Sequence, residues 1–162
     1  MAGARRTATR WLDDTEQASW RAFIHSVNDL MAATEADLAH HGITNGDYAV
    51  FVLLSEAPDS QLRMCDLAAE LQLSPSGLTR RLDGLVRNGW VERVACSSDR
   101  RVTYARLTAA GHAKMQAAAP DHVDSVRRHL LEPLGPRGVE QLGVLMRRVR
   151  AHQLAPHEEP IA

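Results

Sequence analysis

Several things that would narrow the function quickly are missing from this chain. The longest apolar run, residues 48–54, covers seven positions, far short of the roughly 20 a membrane-spanning helix needs. The basic first eleven residues are not followed by an apolar core segment, so no secretory leader is expected. Only two cysteines occur, Cys65 and Cys96, too few for a disulfide framework, which points to a reducing, cytoplasmic setting. A net charge of −1 does not mark the whole chain for a polyanion. Lysine is nearly absent: Lys114 is the single one among 19 basic residues. No Gly-rich phosphate loop, nucleophile elbow or zinc-protease motif is found, so no enzyme activity and no cofactor are expected. No internal repeat or low-complexity segment is found.

What is present is a soluble core and an uneven charge. Apolar residues make up 44% of the 162 positions, enough to exclude a disordered chain. Residues 1–61 carry 4 basic and 9 acidic side chains, whereas residues 62–106 carry 8 basic and 5 acidic. Every basic residue of the positive block is arginine, whose planar fork suits phosphate and guanine.

Periodicity places six helices and one hairpin. Trp20, Phe23, Val27, Leu30 and Leu38 recur at helical spacing over residues 14–39, and Gly42 closes that helix. Thr44 and Asp47 form a capping box for a buried helix over residues 45–56. Residues 64–71 make a short helix with Leu67, Ala68 and Leu71 inward, and Gln72-Leu73 makes a turn. Ser74 caps the next helix with Pro75 at its first position. Leu78, Leu82, Leu85 and Val86 form its buried stripe, and Ser76, Thr79, Arg80, Asp83 and Arg87 face outward. Asn88-Gly89 ends it. Residues 91–95 and 102–107 alternate as two strands. Thr108 caps a long helix to about residue 131, with Pro120 expected to kink or break it. A second break falls at residues 133–138, and a last helix over residues 139–152 carries a seam of Val139, Leu142, Met146 and Val149.

The fold expected is therefore mainly α, a winged helix with a two-stranded wing, whose terminal helices form a dimerisation region. The divisions are a flexible arm at 1–12, a helical dimerisation region at 13–44 and 108–153, a winged helix-turn-helix lobe at 45–107, and a disordered tail at 154–162. The apolar seams of the first and last helices pack economically against each other and against a second copy.

The lobe carries the candidate chemistry. Any solvated helix can show a Ser-x-Ser-x-x-Thr-Arg face, but here it follows a tight turn, has no Glu before Asp83, and precedes a basic hairpin. Carboxylates are repelled by phosphates, so their scarcity suits a groove-facing surface. Arg80 and Arg81 can reach base edges or phosphates, and Ser74, Ser76 and Thr79 are short donors for the same targets. Arg100 and Arg101 at the hairpin tip fit a narrow minor groove. Asp99 holds the tip, either by pairing with an adjacent arginine or by beginning the turn.

Residues 67–93 (LAAELQLSPSGLTRRLDGLVRNGWVER) and 97–115 (SSDRRVTYARLTAAGHAKM) resemble the MarR family of winged-helix regulators. The Asp-Arg-Arg wing followed by Leu107, Thr108 and Gly111 is the more specific part, and the likeness in helix order extends over residues 14–152. It implies a triangular homodimer whose two lobes read adjacent major grooves of a pseudo-palindromic operator in double-stranded DNA. It also implies a repressor that a small, often aromatic or phenolic, effector releases from DNA. Two positions depart from the pattern. Val102 stands where glycine often follows the wing arginines, which leaves Ser97 and Ser98 to shape the tip. Gly135-Pro136 opens the last helix without a Ser/Thr cap.

The effector site is less legible. Trp20, Phe23, Tyr48 and Phe51 are candidate lining residues and Arg63 a candidate carboxylate anchor, although aromatics at helical spacing are usually core. No cysteine precedes residue 65, so the reactive thiol of the peroxide-sensing branch is missing, and structural roles are expected for both cysteines. His40 and His41 are adjacent, about 100° apart on a helix, and no metal site is assigned. A protein–protein adaptor that has lost DNA binding and a metal-responsive regulator are the alternatives.

Overall fold

The computed structural model describes residues 9–96, 99 and 101–154. Most of the expected arm, the tail after Leu154, and Ser97, Ser98 and Arg100 of the wing lie outside the described residues. Among the described residues six α-helices, a short 3-10 turn at Pro58–Ser60, a π turn and one three-stranded sheet make up the fold.

Local capping chemistry sets the first boundaries. Helix α1 (Asp14–Ala39) starts at Asp13, whose carboxylate accepts the Glu16 N–H at 2.8 Å while Glu16 accepts the Asp13 N–H at 3.0 Å. Helix α2 (Asn45–Glu56) starts with the same reciprocal pair, Thr44 and Asp47, at 3.1 and 3.0 Å. Each box satisfies two of the N–H groups a helix start leaves unpaired.

The expected two-stranded wing is present, and a third strand that the sequence did not announce joins it in one sheet. Strand β1 (Gln61–Arg63) precedes helix α3 (Met64–Glu70), and after helix α4 (Pro75–Arg87) come strands β2 (Val91–Ala95) and β3 (Thr103–Leu107). All pair antiparallel in the order β1-β3-β2, so β3 is central, with Leu62 opposite Ala105 and Arg93 opposite Ala105 on its other edge. β1 anchors the base of the hairpin to the helical lobe.

One core unites the lobe. Val50, Phe51 and Leu54 of α2, Leu67 of α3, Leu78, Leu82 and Leu85 of α4, and Val91, Ala105 and Leu107 of the sheet are buried together. Phe51 meets Trp90 edge-on, ring centres 6.0 Å apart at 83°, a favoured aromatic geometry. Each large side chain so buried contributes about 1.5–3 kcal/mol.

The C-terminal helices depart from expectation in one respect. Helix α5 (Ala109–Val126) runs through Pro120 without a break. Pro120 and Gln116, whose carbonyl the proline cannot satisfy, are both exposed, which leaves the freed acceptor on the solvent side. A π turn, Arg127–Leu131, then leads into α6 (Glu132–Leu154). The expected second break is at Gly135, with φ 63° and ψ 172°, a backbone that glycine adopts without a Cβ penalty. α6 buries none of its residues within one chain.

Candidate nucleic-acid interface

α3 and α4 are joined by a turn that closes on itself. Leu73 N–H reaches the Ala68 carbonyl at 2.9 Å, across Gln72 at φ 53°. Ser74 then caps α4, its Oγ accepting the Gly77 N–H at 3.1 Å, with Pro75 in the first turn. Leu78, Leu82 and Leu85 are buried, which turns Ser76, Thr79, Arg80 and Arg87 to the exposed side. No acidic residue lies in the first turn of α4. The helix ends as Asn88-Gly89 predicts. Gly89 at φ 71° lets Trp90 N–H bond the Leu85 carbonyl at 2.9 Å and its own N–H bond Val86 at 3.0 Å, the two bonds of a Schellman ending.

The polar side chains on this surface differ in how far they are already engaged. Ser74 is spent on the cap, with Ser76 Oγ 3.2 Å away. Thr79 donates to the Pro75 carbonyl at 2.9 Å and keeps its acceptor lone pairs. Arg80 is exposed. Arg81 is not free on the surface: its Nη1 donates to Thr44 Oγ1 at 3.2 Å and lies 3.8 Å from Asp47 Oδ1. Sequence reasoning grouped these adjacent arginines, and the structure separates them.

The wing is fastened to α4 by contacts that sequence reasoning missed. Arg93 on β2 donates to Asp83 at 2.7 Å and to the Thr79 carbonyl at 3.2 Å. Arg106 pairs across the hairpin with Glu92 at 2.7 Å, as directly opposed residues on neighbouring strands. Both pairs tie up cations that otherwise count toward the basic block. No short-range spacing rule links positions 83 and 93, because a helix ending and a turn intervene.

At the wing tip Asp99 takes the turn-forming role. Its Oδ1 accepts the Arg101 backbone N–H at 2.9 Å, and its carbonyl accepts the Val102 N–H at 3.0 Å, an Asx-type turn. Arg101 is exposed. Behind the hairpin, Thr108 caps α5 through Gly111 N–H at 3.0 Å and donates to the Gly89 carbonyl at 2.7 Å. A Cβ at Gly111 would overlap the Trp90 carbonyl. The Leu-Thr-x-x-Gly pattern thus fixes the first turn of α5 against the end of α4.

The five candidate effector residues do not line one cavity. Phe51 is fully buried in the core. Trp20 and Phe23 lie side by side on α1, 6.2 Å apart, and are 55% and 44% exposed. Arg63 sits on β1, its Nε 3.4 Å from the Tyr104 hydroxyl. Tyr48 packs against His122 of α5, ring centres 4.4 Å apart and tilted by 39°, and burial raises the Tyr48 pKa and lowers that of His122. Among the described residues, the buried His122 Nδ1 and Ser125 Oγ, one helical turn apart on α5, have no hydrogen-bond partner. A separate apolar groove of about 530 Å³ runs between α1 and α6, lined by Phe23, Val27, Leu30, Leu134, Leu142 and Met146.

The sensing residues are scattered. His41 Nε2 lies 2.7 Å from Asp121 Oδ2, tying α1 to α5. Among the described residues no three His, Cys, Asp or Glu side chains gather as a metal site. Cys65 is exposed, Cys96 is half-buried, and neither is in a disulfide. Among the described residues no helix is long and apolar enough to cross a membrane.

Known proteins share this arrangement. A model of the MarR family matches residues 43–103. AbsC, a MarR family transcriptional regulator from Streptomyces coelicolor, is 38% identical, with 90% of this chain and 98% of AbsC covered and a TM-score of 0.84. Sco3205, a MarR family regulator from the same organism solved in complex with DNA, is 35% identical, with 95% and 97% covered and a TM-score of 0.85. The transcriptional repressor YetL of Bacillus subtilis is 29% identical over 114 residues, 68% of each chain.

Proposed function

Because this chain belongs to the MarR family of transcriptional regulators, which are not enzymes, we propose that it is a homodimeric repressor that binds operator DNA and leaves it when a small ligand binds. The observation that carries DNA binding is the pairing of two cationic elements in one rigid lobe. α4 offers Ser76, Thr79 and Arg80 with no carboxylate in its first turn. The wing offers Arg101, and the Arg93–Asp83 pair fixes wing and helix to each other. A helix fills a major groove, and a hairpin at its side meets the neighbouring minor groove. Ser74 serves through its cap. The complex of Sco3205 with DNA supports this reading.

The apolar faces of α1 and α6 support the homodimer. Trp20, Phe23, Val27 and Met31 on α1, and Val144, Leu145 and Val149 on α6, are large, exposed and contiguous by helical spacing. Such patches on a soluble chain mark interfaces. Two lobes joined this way require half-sites about one helical turn apart. For the ligand, the junction of α2 and α5 is the favoured place. The Tyr48 and His122 rings meet there, and among the described residues the buried His122 Nδ1 and Ser125 hydroxyl have no partner, so a phenol or aromatic acid entering this junction gains ring contact and hydrogen bonds.

Binding to a duplex selected from a random library tests the proposal. Arg80→Ala is expected to cost about 1–3 kcal/mol if Arg80 reads a base edge. Arg101→Ala is expected to flatten the plot of log affinity against log salt by about one unit per lost phosphate contact. A wild-type chain that selects no sequence at low salt, or unchanged binding by both variants, overturns the reading.

A further inference from the structure

Arg81 is the observation the DNA-binding reading does not absorb. It sits one residue from exposed Arg80 on α4, yet its guanidinium is folded back onto the first turn of α2. One nitrogen, Nη1, spans both halves of the α2 capping box, reaching Thr44 Oγ1 at 3.2 Å and Asp47 Oδ1 at 3.8 Å. The Asp47 side chain is itself mostly buried.

This seat is built for a guanidinium. The start of a helix carries partial positive charge and repels a cation. Asp47 offsets that repulsion, and Thr44 supplies a neutral acceptor. Space is made by Gly46, where an added Cβ would overlap the guanidinium of Arg81. The turn that receives Arg81 is itself held from behind by α1. Asn45 N–H donates to Glu35 at 2.6 Å, and Asn45 Nδ2 donates to the Met31 carbonyl at 2.8 Å. A continuous chain of hydrogen bonds therefore runs from α1, through the first turn of α2, to α4.

We propose that Arg81 is a positioning residue, bracing α4 against the first turn of α2 and setting how α4 is presented to DNA, without touching DNA itself. The inference rests on the DNA-binding reading above. It makes a prediction opposite to that of a phosphate contact. A direct contact releases counterions, so its loss lowers the salt dependence. A brace releases none, so its loss weakens the fit to the selected sequence at unchanged salt dependence.

Gly46→Ala separates the brace from the charge. Gly46 has ordinary helical backbone within α2, so alanine is tolerated there and favours the helix. The substitution evicts the Arg81 guanidinium while leaving every charge and the whole of α4 intact. The experiment measures affinity for a duplex that the wild-type chain selects from a random library, and for a scrambled duplex of the same composition, across a salt series. Arg81→Ala and Gly46→Ala are both expected to weaken the selected duplex about tenfold. Their salt slopes and their affinities for the scrambled duplex stay those of the wild type, and the double variant is no worse than either single one. Loss of fold alone would lower the active fraction in a stoichiometric titration, not the ratio of the two affinities.

A salt slope lowered by about one unit in Arg81→Ala, or wild-type binding by Gly46→Ala, overturns the proposal while leaving the DNA-binding reading intact. A wild-type chain that selects no duplex overturns both.

Discussion

The lobe that holds α2 to β3 and the terminal helices α1 and α6 solve the burial problem differently. Within the lobe α2, α3 and α4 each contribute at least two buried apolar side chains to a shared core. α6, with 23 residues, encloses none, and most of the apolar face of α1 is open. A long helix with an uncovered apolar face gains little from folding alone, since helical stability comes mainly from packing that face. The lobe is complete within one chain, whereas the terminal helices leave an apolar face that the second copy proposed above would cover. One region buries its apolar side chains within one chain, and the other leaves them exposed.

The sharpest way to break this contrast is to damage the lobe. Phe51 is fully buried and meets Trp90 edge-on. Phe51→Ala is expected to cost about 3–5 kcal/mol in urea unfolding, because truncation leaves a cavity the surrounding helices cannot close. A loss below about 1 kcal/mol would mean that the core relaxes around the gap and that the lobe is not tightly packed.

A charge in the terminal region gives the converse result. Leu145 is 55% exposed in one chain, so Leu145→Glu costs the isolated protomer almost nothing. Buried against a second copy, the unpaired carboxylate is expected to weaken the dimer about 100-fold or more, roughly 3 kcal/mol. Sedimentation across a dilution series reads the shift, and circular dichroism of the dilute protein should keep its helical signal. Unchanged assembly would remove α6 from the interface.

The same contrast explains what could be read from the chain. Boundaries of α1, α2 and α4 were legible because their causes are local: a cap and its partner three residues on, a proline at the first position, a glycine at the end. β1 was not, because Gln61, Leu62 and Arg63 show no distinctive alternation and are held in a strand only by β3, more than 40 residues later. The chemistry of Pro120 predicts a kink or a break, and α5 runs on through it with the proline on an exposed face. The site divides likewise. Ser76, Thr79 and Arg80 were placed on the outer face by helical spacing. Arg81 was grouped with them because its partners, Thr44 and Asp47, lie more than 30 residues earlier. Interhelical contacts of that kind have no short-range signature.

The smallest expected effect probes the seam between the two regions. His122 of α5 packs against Tyr48 of α2, and burial holds its pKa below the ordinary histidine value of 6.5. Above pH 6.5 the ring is neutral both in the folded and in the unfolded chain, so it imposes no pH dependence there. As pH falls below 6.5 the unfolded chain takes up a proton that the folded chain refuses, and stability drops until the folded pKa is passed. His122→Phe keeps an aromatic ring against Tyr48 and removes the buried, unpartnered Nδ1, a change expected to be close to neutral at pH 7.5. Thermal melts of the two proteins from pH 7.5 to 5 should diverge, the wild type losing more. The neighbouring His41–Asp121 pair is common to both proteins and cancels in the difference. Parallel curves would show that the ring accepts its proton without leaving Tyr48, and that the seam between lobe and terminal helices is open to water.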